Sequence, residues 1–190
     1  MLAAARELFL RDGIRSVTMA DVAARTGCTR QMVYKVFFGR RELIQAAAIA
    51  RIEEIADTTA STVATAKDGL PTAFFASFVE LSIAVIESVR HDPELSILFG
   101  EGSPVTPYET LWADELIHRA LNFWLPWLDW GRAHRVLRDD LSNRDLADWL
   151  HTVYASIILR RNIPQDEERS MIERFVLTSL AMATVGEPQG

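Results

Sequence analysis

With 190 residues, 49% of them hydrophobic, the chain has enough apolar material for a small head and a second core, which excludes a disordered polymer. Its net charge of −6 speaks against a surface uniformly coated with phosphate-binding bases, and a single cysteine, Cys28, excludes an internal disulfide and suits a reducing cytoplasm. No apolar run approaches the ~20 residues that cross a bilayer, and the opening MLAAARELFL lacks a basic start and carries Arg6 and Glu7 inside its apolar run, unlike a secretory signal. A soluble cytoplasmic protein is expected.

The first predicted helix begins essentially at Met1, so any contact of a preceding basic arm with the minor groove lies outside this reading. Ser16 to Leu43 then reads as two short helices joined by a tight turn and followed by a basic junction, the outline of a helix-turn-helix. Thr18 is an N-cap with Asp21 three residues on, and Val22 and Ala23 face inward. Gly27 stands where a chain leaving a right-handed helix needs a positive φ. Thr29 caps the next helix, where Val33 and Phe37 share one face and leave Arg30, Gln31, Tyr34 and Lys35 toward solvent. Arg and Gln suit bidentate bonds to guanine and adenine edges, whereas Tyr and Lys more often hold phosphate. Cys28, in the turn, reads as a small hydrophobe rather than a redox switch.

The charge is unevenly spread. Residues 1–50 hold eight Lys/Arg and four acids, a surplus of four positive charges, and the remainder holds twelve bases and 22 acids. A basic head and an acidic body fit a protein whose head alone touches phosphate.

Leu2, Ala4, Ala5, Leu8, Phe9 and Gly13, then Thr18, Met19, Ala20, Asp21, Val22 and Ala23, then Gly27, Cys28 and Thr29, with Tyr34, Phe37, Arg40 and Leu43, resemble the TetR family of bacterial transcription regulators over Leu2 to about Ala47. Three positions depart from the common pattern. Gln31 replaces a small residue, Val36 an aromatic one, and Arg40 the usual Lys. The resemblance implies an all-α protein of about nine helices: a three-helix head over residues 1–47 and a helical effector-binding and dimerisation body over 48–190. It implies DNA contacts from Thr18, Thr29, Arg30, Gln31, Tyr34, Lys35 and Arg40, with no cofactor.

Beyond Leu43 apolar residues recur at three and four, and no strand is predicted. A fourth helix runs from about Arg40 to Thr65. Lys67 to Pro71 is a break, with Pro71 at the first turn of a fifth helix that reaches Arg90. Asp92 caps a short sixth helix with Pro93 at its first position. Gly100 to Pro107, with two glycines and two prolines, is the most irregular stretch and is expected to be mobile, a place to look for a ligand entrance if it is more than a connection. A seventh helix opens at Thr106 and Pro107, carries Trp112, Leu116, Phe123 and Trp127 along one side, and is expected to kink or break near Pro126. Ser142, with Asp145 three residues on, caps an eighth. A ninth covers about Asp166 to Val185.

The aromatic stripe of the seventh helix is core by its spacing. The resemblance implies a ligand cavity among the fifth, seventh and eighth helices, with Phe78, Ser82, Trp112, Glu115, Leu116, Asn122, Trp127 and Tyr154 as candidate lining for a largely apolar molecule. The last two helices are apolar on more than one side, which suits central core or an interface. The resemblance implies a four-helix dimer interface with Trp149, Val153, Ile157, Ile172, Phe175 and Val176 as candidates. Glu115 and His118 have a spacing used in helical-bundle metal sites, but His91, His134 and His151 do not complete it, so no metal site is assigned. The reading is a homodimeric, ligand-responsive, non-enzymatic repressor that binds an inverted-repeat operator on double-stranded DNA. The alternatives are the same fold with no small-molecule effector, its body serving dimerisation or a protein partner, and, remotely, a helical-bundle metalloenzyme.

Overall fold

A computed structural model of the chain describes residues 1–63 and 73–181. The expected break at Lys67 to Pro71, the end of the fourth helix at Thr65 and the last helix from Met182 to Val185 lie outside the described residues.

The described residues form α1 (Leu2–Asp12), α2 (Met19–Thr26), α3 (Arg30–Val36), α4 (Arg40–Val63), α5 (Phe74–Arg90), α6 (Pro93–Leu98), α7 (Pro107–Leu111), α8 (Asp114–Ala133) and α9 (Asn143–Leu159). A final helix runs through α10 (Gln165–Met171), a π-helical turn (Ile172–Val176) and α11 (Leu177–Leu180). Among them there is no strand, only a single bridge between Leu137 and Ala181. Counted with its π turn as one, the last helix is the tenth. The number exceeds the expected nine because the predicted seventh helix breaks at Trp112 and Ala113, between α7 and α8. Pro126 does not break it: α8 passes through, and both Pro126 and Asn122, whose carbonyl loses its helical partner there, are exposed.

Chain starts and stops follow local chemistry. The Thr18 hydroxyl accepts from the Asp21 amide while the Asp21 carboxylate accepts from the Thr18 amide, a closed capping box at the start of α2. The same device opens α7 with Thr106 and Glu109, and α9 with Ser142 and Asp145. Asp92 accepts from the Leu95 amide with Pro93 at the first position of α6.

Two compact units result. The first comprises residues 1–56 and 87–116, so it contains the expected 1–47 head together with α6 and α7; the second comprises 57–86 and 117–190. In the first, Val22 and Ala23 of α2 and Val33 and Phe37 of α3 are buried, with Ala5, Leu8 and Phe9 of α1. In the second, Phe74 and Phe78 of α5, Trp124, Trp127 and Leu128 of α8, Leu146, Leu150 and Tyr154 of α9, and Ile172 and Val176 of the last helix share one core. A Cβ on Gly131 would lie 2.7 Å from Leu137 and 2.9 Å from Phe74, so α8 approaches these side chains closely only through glycine.

The turn between α2 and α3 depends on Gly27, at φ 67° and ψ 18°, whose amide donates to the Ala23 and Ala24 carbonyls. A Cβ there meets nothing within 4 Å, so its only cost is the left-handed backbone. Gly27→Ala is therefore expected to lower stability by about 1–2 kcal/mol, and Gly27→Asn by distinctly less, in urea unfolding. Equal losses for the two would place the constraint in packing.

Candidate functional site

The head presents α3 through a sorting of its charges. Of its eight basic residues, five are paired with carboxylates. Arg6 in α1 donates from Nε to Glu94 Oε1 at 2.6 Å and from Nη2 to Glu54 Oε2 at 2.7 Å. Arg25 pairs with Glu7 at 2.6 Å, Arg11 with its neighbour Asp12 at 2.6 Å and Arg41 with Glu109 at 2.8 Å, while Arg15 pairs with Glu101. Arg40 donates from Nε to the Val17 carbonyl at 3.0 Å, and its Nη2 is buried without a hydrogen bond. Arg30 and Lys35, both on α3, are the two with neither an ion pair nor a side-chain hydrogen bond among the described residues.

The predicted contact residues divide accordingly. Arg30, Gln31, Tyr34 and Lys35 are exposed on α3, with Tyr34 46% accessible. Thr18 and Thr29 are exposed at the N-caps of α2 and α3, their side chains accepting from Asp21 and Met32 amides. Arg40, half-buried, also ties the start of α4 to the chain ahead of α2 through its guanidinium. In the Gly100 to Pro107 stretch, Arg15 Nε donates to the Glu101 carbonyl at 3.1 Å, and a Cβ on Gly102, at φ 84°, would strike the Arg15 side chain, so this segment lies against the turn ahead of α2.

A five-residue ionic network lies behind the head. Arg51 of α4 donates to Asp92 at 2.7 Å and to Glu54 at 3.3 Å, and approaches Glu94 at 3.6 Å. Arg6 completes it through Glu54 and Glu94. The Asp92 and Glu94 side chains are nearly buried. Burial opposes ionisation of Asp92, yet hydrogen bonds from Arg51 and the Leu95 amide outweigh it and hold the carboxyl below its ordinary value. Hydrogen bonding from Arg6 likewise lowers Glu54.

In the second unit, four of the eight pocket candidates come together. Phe78 meets Trp127 at 6.3 Å between ring centroids. Tyr154 and Ser82 share a hydrogen bond of 2.7 Å. Because Ser82 has one proton and donates it to the Phe78 carbonyl at 2.7 Å, the tyrosine is the donor. Burial holds the Tyr154 hydroxyl well above its ordinary pKa, and the Ser82 hydrogen bond does not offset this. Trp124, passed over by the sequence reading of the pocket, joins the set, stacked on Tyr154 at 5.2 Å and 5.0 Å from Phe78. Its position three before Trp127 was the available signal. Trp112, Glu115 and Leu116 fall in the first unit instead, and Glu115 and Asn122 are exposed, which removes them from a buried lining.

The interface candidates also divide. Ile157, Ile172 and Val176 are buried in the core of their own subunit, so they are not an exposed face. Trp149 and Phe175 are 45% and 68% accessible, and Val153, four residues after Trp149, is half-buried. Trp149 Nε1 donates to Ser179 Oγ at 3.0 Å, which fixes the ring against the last helix.

No helix among the described residues is long and apolar enough to cross a membrane, and none of their His, Cys, Asp and Glu side chains form a group of three disposed to hold a metal ion. Residues 1–47 match the family described as bacterial regulatory proteins, tetR family. The match covers α1, α2, α3 and the start of α4. The fold of the whole chain is similar to solved TetR-family repressors. AlkX from Dietzia sp. strain DQ12-45-1b, a repressor implicated in n-alkane biodegradation, is 23% identical, with 94% of each chain covered and a TM-score of 0.69. FadR of Thermus thermophilus, solved with lauroyl-CoA, is 18% identical over 100% of this chain and 97% of its own, with a TM-score of 0.67. QsdR of R. erythropolis is 18% identical over 93% and 92%, with a TM-score of 0.65. No curated protein sequence matches the chain. Within the matched residues, α2 and α3 form a helix-turn-helix, held by Gly27 and the Val33/Phe37 face.

The lowered carboxyl pKa values set the acid response of the first unit. A folded-state pKa below the unfolded value, near 3.8 for Asp92, means that the unfolded chain binds more protons on acidification; the stabilisation is complete above that value and is lost as pH falls through the folded one. Asp92→Asn, which keeps a competent N-cap, is expected to lower stability at pH 7 and to narrow its difference from the wild type below pH ~4. Urea midpoints at pH 7 and pH 3 that differ by the same amount in both proteins would show that Asp92 does not carry the acid response.

Proposed function

We propose that the chain is a homodimeric transcriptional repressor that binds an inverted-repeat operator through α3 and leaves it when a small, largely apolar molecule binds the second unit. The observation that carries the DNA reading is the distribution of unpaired charge: Arg30 and Lys35 remain free on the exposed face of α3 after the other bases of the head are spent on internal contacts. Arg30, Gln31 and Lys35 read base edges in the major groove. Thr18, Thr29 and Tyr34 hold phosphate, and Arg40 braces the start of α4 behind them.

The aromatic group of Phe78, Trp124, Trp127 and Tyr154, with one hydroxyl pair among them, supports an apolar effector with little polar recognition. Two repressors of like fold, one solved with an acyl-CoA and one tied to alkane use, point the same way. Release requires that the effector bind more tightly to a conformation whose recognition helices no longer match the groove spacing. The 24-residue α4, about 36 Å long at ~1.5 Å per residue, is the lever that carries a small tilt to the head. The mutual ring contacts also favour a second reading, a body that serves only dimerisation. Tryptophan emission that does not respond to any acyl or alkyl compound, with operator binding unaltered, would select it.

Selection from a randomised duplex library tests the DNA reading. Gln31→Ala is expected to relax the preferred base at one position of each half-site, with a loss of ~1–3 kcal/mol on the original sequence. Lys35→Ala is expected to relax the preference at another position of each half-site and, by removing one positive charge, to flatten the salt dependence by about one charge. A Gln31→Ala protein with unchanged preferences would remove Gln31 from the reading set.

The dimer is assigned to the Trp149, Val153 and Phe175 face. Phe175→Glu is expected to sediment as a folded monomer at concentrations where the wild type is dimeric. Val176→Asp, which buries a carboxylate, is expected not to fold. Phe175→Glu dimers of unchanged strength would move the interface elsewhere.

A further inference from the structure

The α3 helix carries four rows of side chains, each made by residues four apart and separated by about 100°. Val33 and Phe37 form the buried row. Gln31 and Lys35 stand most nearly opposite it, and Arg30 and Tyr34 occupy one flank. The other flank is Met32 and Val36, 50% and 53% accessible.

This last row takes no part in the core and has no donor or acceptor in its side chains for phosphate or base hydrogen bonds. Ten large hydrophobic residues are exposed among the described residues, and four of them, Met32, Tyr34, Val36 and Phe38, fall within seven consecutive positions, Phe38 at 94%. Such a cluster is not the single scatter normal to a surface. Three of the four, Met32, Tyr34 and Val36, share a seven-residue helix with Arg30 and Lys35, so what covers them is a partner that also meets positive charge.

We propose that Met32 and Val36 read thymine through its C5 methyl group. The inference rests on the reading of α3 as a major-groove helix, and it adds an apolar specificity to the hydrogen-bonding one assigned to Gln31. Thymine is the one standard base with a methyl group in the major groove, and cytosine shows an N4 amine near the same place. Against an apolar side chain the methyl loses its water at a gain, whereas the amine loses a hydrogen bond without replacement. The two side chains divide the task. Met32 is unbranched and adapts to the groove surface; Val36, stiff at χ1, presents a fixed pair of methyls.

The test uses the full chain and duplexes recovered from a randomised library, remade with single deoxyuridines in place of thymidines, which deletes one methyl and leaves every hydrogen-bonding group. At one or more half-site positions the wild type is expected to bind the deoxyuridine duplex about fourfold more weakly, the worth of one buried methylene. Met32→Ala or Val36→Ala is expected to bring the thymidine-to-deoxyuridine ratio at that position to one while the base preference set by Gln31 stays. Replacing that thymine by 5-methylcytosine is expected to cost the wild type less than replacing it by cytosine. Both side chains are half exposed, so loss of fold does not confound the variants, and circular dichroism checks this. Equal affinity for thymidine and deoxyuridine at every position, or a ratio unmoved in both variants, overturns the methyl contact while leaving DNA binding intact. Recovery of no preferred sequence at all would overturn the groove reading, and the methyl contact with it.

Discussion

Five charged side chains, Arg6, Arg51, Glu54, Asp92 and Glu94, fix α1, α4 and α6 to one another within the first unit. Three carboxylates and two guanidinium groups leave one negative charge in excess, and two of the carboxylates are nearly out of water. Such a cluster contributes little net stability over apolar packing, because each ion lost its hydration to enter it. Its strength is directional. Removing one partner strands the others, so the three helices have one register in which every charge is met. The recognition helix inherits that constraint: α3 packs on α2 and α2 on α1, so the bearing of α3 depends on where Arg6 is anchored.

The same pairing changes what a charge count means. A surplus of four positive charges in residues 1–50 suggests a broadly basic head, yet most of its arginines face carboxylates, several of them supplied by residues 87–116. On α3, by contrast, Arg30 and Lys35 have no such partner. No local sequence pattern pairs Arg6 with Glu94 or Arg41 with Glu109, because those contacts are set by tertiary packing across 88 and 68 residues. The Arg40 contact is equally out of reach of local pattern: a basic residue at a helix start does not reveal the Val17 carbonyl that it meets.

Elsewhere, legibility followed the range of the interaction. Capping by Thr18 and Asp21, Ser142 and Asp145, or Asp92 is complete within four residues, and so is the turn at Gly27. Those features, and with them the helix-turn-helix, could be read directly. Helical periodicity identifies an apolar face but not what covers it. Ile157 and Val176 were placed on the subunit surface although the core of their own subunit encloses them, while Trp149 and Phe175 of the same helices remain outside. The π turn at Ile172–Val176 widens the last helix there, a change of period that a fixed 3.6-residue template does not register. The break at Trp112 has a local accompaniment, since the Trp112 amide bonds back to Tyr108 and the Ala113 amide to Thr110, a tighter closing turn that no glycine or proline announces.

Were the proposed effector to enter the aromatic group of the second unit, the chemistry there would limit what it could gain. Both hydroxyls of the Ser82 and Tyr154 pair are already used, Tyr154 donating to Ser82 and Ser82 to the Phe78 carbonyl. A ligand that takes a hydrogen bond from Tyr154 must break the one to Ser82, and the exchange of one buried bond for another is close to neutral. The raised pKa keeps the phenol uncharged at neutral pH, so it offers no ionic attraction either. Apart from the acceptor lone pairs left on the two hydroxyl oxygens, what remains is contact with the faces and edges of Phe78, Trp124 and Trp127, where affinity grows with apolar area removed from water. Selectivity in such a site comes from shape, namely how far the stacked Trp124 and Tyr154 rings part and at what cost in lost ring contact. An effector would then be distinguished by the length and breadth of its hydrocarbon, and its head group would contribute only through polar groups outside this pair.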